Sequence, residues 1–401
     1  MSANNRDFVV VGAEIVGLTI ARALALRKLG RVTIVEKEKK LGVHSSGRNS
    51  GVLHAGIYYV PGTLKAKVCV SGAKRLFEYA VQHGIPVKKT GKVIVATSPG
   101  NVSQIDVLCE RARANGVRAE KIDLDALKKI EPEAHSFGAA LYSPDTAVID
   151  SKKVLENMEE EVLSLGVGLD KESEALGFNL REKSVRTKKN SYSYGHLVNA
   201  SGLQADKIAH LMGVGMNYRM LPFKGIYRKL TPAAAARFNA SIYPVPDLEL
   251  PFLGVHITRT IDNQVMLGPT AIPALGRENY GFFKGMDLRE APTMLMDLAV
   301  MVARNTNGFA GMVKEEFSKY GPAQFLKCVR QLAPKLKAED IIASDKTGIR
   351  AQLVEKKSKK LVMDLVIEDG PASTHILNAI SPAFTSSLAF ADVVVDRITK
   401  P

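Results

Sequence analysis

The stretch FVVVGAEIVGLTIA, Phe8 to Ala21, decides the fold of the first part of the chain. Its valine-rich start is typical of a parallel strand that is buried on both faces. The residues after the turn carry apolar side chains at helical spacing up to Gly30, where a helix commonly stops. A second strand, RVTIVEKE, follows and contains Glu36. Strand, glycine turn, helix and strand together predict a βαβ unit with a parallel sheet.

The turn of this unit has the spacing of a dinucleotide-binding turn. Gly12 and Gly17 occupy the first and third glycine positions of the pattern G-x-G-x-x-G. In such a turn, backbone N–H groups and the positive helix end bind a pyrophosphate, and an acid after the second strand binds the ribose. Glu36 is predicted to be this acid, which favours FAD or NAD over NADP.

Glu14 stands at the second glycine position, where the backbone must come close to the pyrophosphate. Two interpretations are open. The side chain points outward and is tolerated, or its carboxylate repels the pyrophosphate and lowers the affinity for the dinucleotide. The fold does not depend on this residue. No second complete glycine pattern follows in the sequence, so we expect a single dinucleotide.

The 401 residues, 46% hydrophobic and 24% charged, are typical of a soluble protein with two domains. No stretch reaches the roughly eighteen apolar residues that a membrane span needs. Because the first predicted strand begins at Phe8, we expect no signal peptide or transit sequence in the chain as given. The three cysteines fit neither a disulfide framework nor a zinc site, and we expect buried thiols in a reducing compartment.

The net charge of +14 comes from short scattered clusters, such as 181–189 and 355–360, which lie where hairpin turns are expected. No aromatic residues alternate with them as in a surface that stacks on bases, so nucleic acid is not an expected partner. Contact with an anionic membrane surface and attraction of an acidic substrate remain alternatives. We expect a cytoplasmic protein, with peripheral membrane contact as an alternative, and a mitochondrial one if the source is eukaryotic and the chain trimmed.

A family resemblance begins after Glu36. The segment KKLGVHSSGRNSGVLHAGIYYVPGTLKAKVCVSG, residues 39–72, resembles FAD-dependent L-2-hydroxyglutarate dehydrogenases and oxidases of the D-amino-acid-oxidase-like flavoprotein superfamily. Further similar stretches follow in order along nearly the whole chain: GIPVKKTGKVIVA (84–96), LVNASGLQADKIA (197–209), IYPVPDLELPFLGVHIT (242–258), VMLGP (265–269), TGIRAQ (347–352) and NAISPAFTSSLA (378–389). The sequence departs from the family pattern at Glu14, and less clearly at Arg48, Ser201 and Phe384.

The resemblance implies an α/β fold with a Rossmann-like FAD-binding domain and a smaller α+β substrate domain that has a mixed or antiparallel sheet. We expect the FAD-binding domain at 1–85, 145–215 and 340–401, and the substrate domain at 86–144 and 216–339. The implied reaction is the oxidation of L-2-hydroxyglutarate to 2-oxoglutarate. A hydride leaves C2 for flavin N5, and electrons then pass to oxygen, a quinone or another acceptor that is not NAD.

The residues expected to bind FAD lie in the glycine turn, after the second strand, in the segment from Ser45, and near the C-terminal helix start. They are Gly12, Ala13, Ile15, Val16, Gly17, Glu36, Lys37, Ser45, Ser46, Asn49, Ser50, Gly51, Gly202, Gly348, Ser381, Pro382, Thr385 and Ser386. His44 is expected to anchor the backbone at the start of the flavin-contacting loop. Hydroxyl caps followed by apolar residues at helical spacing predict a helix after Pro382.

Oxidation of an alcohol beside a carboxylate needs a base, a hydride acceptor and partners for the carboxylates. His54 and His256 are the candidate bases, and each has the alternative of a structural histidine. Arg350 is expected to bind a substrate carboxylate in bidentate fashion, with Lys224 as a second cation.

Further substrate contacts are expected from the hydroxyl groups of Tyr58, Tyr59 and Tyr243, which have packing as the alternative role. We expect no metal site. Two other functions stay open at this point: a related flavoprotein that oxidises another small acid or amine, such as an amino acid or glycerol phosphate, and a flavin-poor relative without catalysis.

Overall fold

The computed structural model describes residues 7–248, 252–305 and 308–400, so positions 249–251 of the quoted stretch 242–258 lie outside the described residues. The chain forms two compact units. The first unit contains Met1–Asn49, Ser151–Pro222 and Arg350–Pro401, and the second contains Ser50–Asp150 and Phe223–Ile349.

The helices are numbered in chain order: α1 Ile15–Leu26, α2 Leu64–Gln82, α3 Val102–Ala114, α4 Leu124–Ile130, α5 Ser151–Ser164, α6 Ala205–Leu211, α7 Pro232–Ala235, α8 Ala291–Arg304, α9 Phe309–Ser318, α10 Pro322–Arg330 and α11 Ala383–Thr399. The strands up to residue 200 are β1 Phe8–Val11, β2 Val32–Val35, β3 Val52–Leu53, β4 Val87–Lys89, β5 Lys92–Val95, β6 Glu120–Ile122, β7 Ala140–Ser143, β8 Ala147–Ile149, β9 Gly168–Asp170, β10 Ala175–Asn179, β11 Ser184–Thr187, β12 Ser191–Ser193 and β13 His196–Asn199. The remaining strands are β14 Tyr218–Leu230, β15 Ser241–Pro244, β16 His256–Arg259, β17 Val265–Gly268, β18 Ile272–Pro273, β19 Ile341–Glu355, β20 Val366–Gly370 and β21 Ser373–Asn378.

The first unit is built on a six-stranded sheet in the order β20-β21-β13-β1-β2-β9. β1 lies parallel between β13 and β2, and all four of its residues are buried. Fully apolar β1 therefore sits in the middle of the sheet, as its composition predicts. The predicted βαβ unit is confirmed, except that α1 ends at Leu26, before Gly30. Lys28 already has a left-handed backbone with φ of 52°, which stops the helix.

The second unit is built on a nine-stranded mixed sheet in the order β18-β14-β17-β16-β15-β5-β7-β6, with β19 paired to β14. Alternate residues of β5 face two different apolar clusters. Val93 and Val95 pack in one with Phe238 and Phe325, and Ile94 packs in the other with Tyr243. This period of two places the strand between two layers of apolar side chains.

The boundaries of the compact units differ from the expected domains at residues 50–85, which lie in the second unit and make it the longer one. The physical reason is side-chain packing. Ala55, Ile57 and Tyr58 lie in one apolar cluster with Ile94 and Tyr243, which ties this segment to the mixed sheet of the second unit. Smaller shifts place 145–150 in the second unit, 216–222 in the first, and 340–349 in the second.

Several local predictions are confirmed in part. The basic cluster at 355–360 lies in an antiparallel turn between residues 354 and 361, whereas the cluster at 181–189 begins in the turn after β10 and also includes strand β11. The helix after Pro382 is α11, but the predicted hydroxyl cap is not formed, because the N-cap residue is Pro382 and has no side-chain hydrogen bond. The expectation of buried thiols is correct only for Cys69, because Cys109 and Cys328 are half-buried.

Candidate active site

The two glycines of the turn have steric roles within the first unit. Gly12 has φ of +102°, and a Cβ there would lie 2.7 Å from the carbonyl oxygen of Ala200. A Cβ on Gly17 would lie 1.9 Å from the carbonyl oxygen of Gly12. Only glycine therefore permits the close approach of helix α1 to the turn.

Glu36 lies at the end of β2 with its carboxylate directed at the turn. Its Oε2 accepts a hydrogen bond of 2.7 Å from the Ala13 N–H, and its Oε1 accepts one of 2.8 Å from the Glu38 N–H. Burial raises the pKa of Glu36 above its ordinary value, while the two backbone hydrogen bonds favour the ionised form. Each oxygen has a second lone pair, so the carboxylate can accept ribose hydroxyl groups.

The carboxylate of Glu14 is hydrogen-bonded to the backbone of the loop at residues 42–46. Its oxygens accept hydrogen bonds from the backbone N–H groups of Gly42 at 3.2 Å, His44 at 3.4 Å and Ser46 at 3.0 Å. The Oγ of Ser46 in turn accepts a hydrogen bond of 3.2 Å from the Ile15 N–H, at the start of α1. Converging N–H groups of this kind form an anion-binding loop. The carboxylate thus ties the turn to the loop at residues 42–46.

The residues of the first unit fit the expected dinucleotide. Glu36 is placed for a ribose, and Gly202, with φ of +56°, has no heavy atom within 4 Å of the Cβ that another residue would carry. Among the described residues, the buried hydroxyl of Ser386 has no hydrogen-bond partner. Ser386 lies in the first turn and a half of α11, where backbone N–H groups also favour an anionic or polar ligand.

Other residues expected at the cofactor hold the loop in shape. The Asn49 side chain donates to the Ser46 carbonyl, and Lys37 pairs with Glu38 at 2.6 Å. His44 is placed through its ring, since Nε2 lies 3.0 Å from the Glu38 carboxylate. Ser50, Gly51 and Gly348 belong to the second unit, so their contact with FAD stays a prediction.

A cluster of rings brings three predicted site residues together inside the second unit. The ring of Tyr243 stacks on that of His256, with centroids 4.0 Å apart and planes inclined by 24°. His54 meets Tyr243 edge-on at a centroid distance of 6.5 Å. We call His54, Tyr243 and His256 the ring cluster. It provides two imidazoles and a phenol from three separate segments of the chain.

The tautomer of His256 follows from its surroundings. Its Nδ1 lies 2.9 Å from the Gly254 carbonyl oxygen, which can only accept a hydrogen bond. Nδ1 therefore carries the hydrogen, and in the neutral ring Nε2 is the nitrogen that can take up a proton. His256 is buried, whereas His54 is half-buried and has its carbonyl oxygen held by the Cys69 thiol at 3.3 Å.

The remaining predicted substrate residues have different surroundings. Lys224 is buried and donates hydrogen bonds to the Gly281 carbonyl at 2.7 Å and to Asn279, which supports a role in holding that loop. Burial lowers the pKa of Lys224. Tyr58 is buried, and Tyr59 is half-buried with the Lys65 ammonium 5.0 Å from its ring. Arg350 is half-buried in β19 and belongs to the first unit.

Sequence reasoning missed Lys92, which lies beside the ring cluster at the start of β5. Its Nζ is 4.7 Å from the Tyr58 ring centroid and 5.0 Å from that of Tyr243. One feature of the sequence could have revealed it: Lys92 stands directly before the apolar stretch VIVA, so a charged residue begins a strand that is otherwise typical of a core.

A family model described as FAD dependent oxidoreductase, DAO, matches residues 7–397. The chain is 37% identical to a mitochondrial L-2-hydroxyglutarate dehydrogenase from Caenorhabditis elegans, over 98% of this chain and 92% of that protein. It is 34% identical to the mitochondrial L-2-hydroxyglutarate dehydrogenase of Homo sapiens, with 99% and 89% covered. For the L-2-hydroxyglutarate dehydrogenase of Escherichia coli K12, the identity is 32%, with 98% and 93% covered.

The fold is similar to that of solved flavoproteins. L-alpha-glycerophosphate oxidase from Mycoplasma pneumoniae, with FAD bound, matches with a TM-score of 0.78 at 22% identity, over 99% of this chain and 95% of that one. Glycine oxidase from Geobacillus kaustophilus matches with a TM-score of 0.71 at 15% identity, over 98% and 94%. Within the part of the chain that the structure describes, no helix combines the length and apolar character of a membrane span.

Proposed function

Because the chain belongs to the DAO family of FAD-dependent oxidoreductases, we propose that it oxidises L-2-hydroxyglutarate to 2-oxoglutarate. FAD is its cofactor. Nearly full-length identity of 32–37% to dehydrogenases of that name in animals and a bacterium supports the substrate. The structural observation that carries the proposal is the ring cluster, whose two imidazoles are the candidate bases for an alcohol substrate.

In the proposed reaction, the C2 hydroxyl proton passes to a histidine while the C2 hydrogen leaves with its electron pair. Bound FAD supplies the acceptor of that hydride at N5. His54 is our candidate base because it is half-buried and therefore within reach of a ligand. His256 is the rival base, and the hydrogen on its Nδ1 leaves Nε2 as the proton-accepting nitrogen.

The substrate has two carboxylates, and the chain offers two candidate cations for them. We propose that Arg350 binds one carboxylate through its planar guanidinium, because that geometry matches two oxygens at once. Lys224 remains the second candidate, with the hydroxyl groups of Tyr58, Tyr59 and Tyr243 as further donors. An Arg350→Ala variant is expected to raise KM for L-2-hydroxyglutarate more than it lowers kcat; an unchanged KM would remove Arg350 from the site.

The electron acceptor is proposed to be a quinone or oxygen, and a quinone would require contact with a membrane. An exposed apolar group supports such contact: Phe282 is 70%, Phe283 74% and Leu288 81% exposed, next to Lys284 and Arg289. Apolar side chains flanked by basic ones fit an anionic lipid surface. Phe282→Ser with Phe283→Ser should then reduce co-sedimentation with anionic vesicles. Equal sedimentation of both proteins would contradict membrane contact.

Substrate identity is tested by dye reduction with the flavin-loaded protein. L-2-hydroxyglutarate should reduce the dye, and its D-isomer should serve as the matched control with the same charges and size. Glycine, L-proline and glycerol 3-phosphate test the related oxidases. Equal or greater activity with any of these three would move the protein to another substrate, and a preparation that binds no FAD would support a relative without catalysis.

A further inference from the structure

Lys92 is a fully buried cation without an acidic partner. It is 1% exposed and lies in register with Ser241 of β15 and Ser143 of β7. Among the residues that the structure describes, no carboxylate forms an ion pair with it. Its electrostatic partner is the thiol of Cys69. A buried ammonium without a carboxylate is costly, so a lysine at this position calls for a functional reason.

Two aromatic rings take the place of a counter-ion. Nζ lies 4.7 Å from the centroid of Tyr58 and 5.0 Å from that of Tyr243. An ammonium within about 6 Å of a ring centroid is attracted by the ring, most strongly away from water. The attraction works in both directions. It lowers the cost of the buried charge, and it restrains the two rings.

The restraint on Tyr243 extends to both candidate bases. Tyr243 stacks on His256 at 4.0 Å and meets His54 at 6.5 Å. Cys69, the other neighbour of Lys92, donates its S–H to the His54 carbonyl oxygen. Two of the three neighbours of Lys92 therefore contact the ring cluster: Tyr243 meets both imidazoles, and Cys69 holds the backbone of His54.

We propose that Lys92 is a positioning residue, which fixes the Tyr243 ring through its ammonium and thereby orients the imidazoles of the ring cluster. The inference rests on the proposed function. Lys92 acts through Tyr243 and is not itself the base, since no hydrogen bond joins its Nζ to either imidazole among the described contacts.

The protonation of Lys92 supplies an independent check. Burial lowers its pKa from 10.5 to about 7, while burial raises the pKa of the neighbouring Cys69 to about 12 and that of Tyr58 as well. Because the folded pKa lies below the unfolded one, the native state binds fewer protons between pH 7 and 10.5. The charge therefore destabilises the fold fully below pH 7, and this effect fades as the pH rises toward 10.5.

The test compares Lys92→Met, Lys92→Arg and Lys88→Met in the flavin-loaded protein at pH 6, below the Lys92 pKa of about 7, so that the ammonium is present. Methionine has a similar length and no charge, arginine keeps the charge and the ring contact, and Lys88 is an exposed lysine of β4 that matches the change in net charge. Lys92→Met should lower kcat roughly tenfold to a hundredfold, as misorientation of catalytic groups does, with a smaller change in KM. Lys92→Arg should recover part of kcat, and Lys88→Met should match the original protein.

The stability of Lys92→Met against denaturant distinguishes a positioning role of Lys92 from a merely structural one. At pH 6, Lys92→Met should unfold at a higher denaturant concentration than the original protein, and the difference should shrink by pH 9. A variant that is more stable and yet slower supports positioning. A variant that is less stable at pH 6, or one that keeps kcat within about twofold, overturns it.

A second measurement does not depend on the proposed substrate. If the original protein does not turn over L-2-hydroxyglutarate, the ring resonance of His256 in a histidine-labelled sample still reports on positioning. It should shift or broaden in Lys92→Met and stay in place in Lys88→Met. An unchanged resonance in both variants overturns the proposal whatever the substrate is.

Discussion

At the Gly12–Gly17 turn, backbone N–H groups hold carboxylates, whereas around Tyr243 aromatic rings hold an ammonium. In the turn, Glu14 accepts three backbone hydrogen bonds and Glu36 accepts two. Backbone N–H groups can donate hydrogen bonds to any anion of suitable size, so this region tolerates a change of anion. The ring cluster depends on the shape and orientation of its rings. Substitutions in the turn should therefore alter cofactor affinity, and substitutions in the ring cluster should alter turnover.

The largest effect is expected in the ring cluster, at the base. His54→Ala should lower kcat by about two to four orders of magnitude, the range for loss of a general base. His256→Ala serves as the matched comparison, because it removes the other imidazole that contacts Tyr243. FAD content, measured by absorbance after purification, should stay constant in both. If His54→Ala keeps its turnover and His256→Ala loses it, the base is His256.

A larger side chain in the Gly12–Gly17 turn should lower the stability of the fold and not act directly on turnover. Gly17→Ala places a methyl group 1.9 Å from the Gly12 carbonyl oxygen, so the helix must move. We expect a loss of about 1–3 kcal/mol in the free energy of unfolding, together with weaker FAD binding. Gly311→Ala is the control, because a Cβ there meets no heavy atom within 4 Å. Equal stability of the two variants in urea would show that the turn relaxes easily.

Glu14 should have the smallest effect, because the loop already satisfies its carboxylate. Glu14→Gln removes one negative charge beside the pyrophosphate-binding turn, and we expect FAD to bind about three- to tenfold more tightly at low salt. The gain should shrink at high ionic strength. Glu174→Gln, at an exposed position of the same unit, controls for net charge. Weaker binding by Glu14→Gln in a flavin fluorescence titration would show instead that the carboxylate orders the loop for the cofactor.

The two regions also differ in how far the sequence predicts them. The turn lies within one βαβ unit, whose strand and helix periods are local, and its glycines and Glu36 were predicted correctly as parts of that unit. The direction of the Glu14 side chain was not predictable, because it depends on how residues 42–46 fold back. Lys92 was missed for a similar reason. Only the tertiary pairing of β5 with β15 and β7 buries this lysine between two rings.

The compact units differ from the expected domains at residues 50–85, because Ala55, Ile57 and Tyr58 pack in one apolar cluster with Tyr243, which lies far along the chain. Periodicity within a segment carries no information about such a partner. His54, Tyr243 and His256 were each proposed from their residue type and the family resemblance. Their assembly into one cluster appears only in the structure.

The central claim is that L-2-hydroxyglutarate gives its C2 hydride to the bound flavin of this protein. Anaerobic mixing tests it most directly, because one turnover needs no external electron acceptor. We predict that L-2-hydroxyglutarate bleaches the visible flavin absorbance and yields one 2-oxoglutarate per flavin, while D-2-hydroxyglutarate leaves the flavin oxidised. A flavin that stays oxidised with L-2-hydroxyglutarate, and is bleached by glycine, L-proline or glycerol 3-phosphate, would contradict the account.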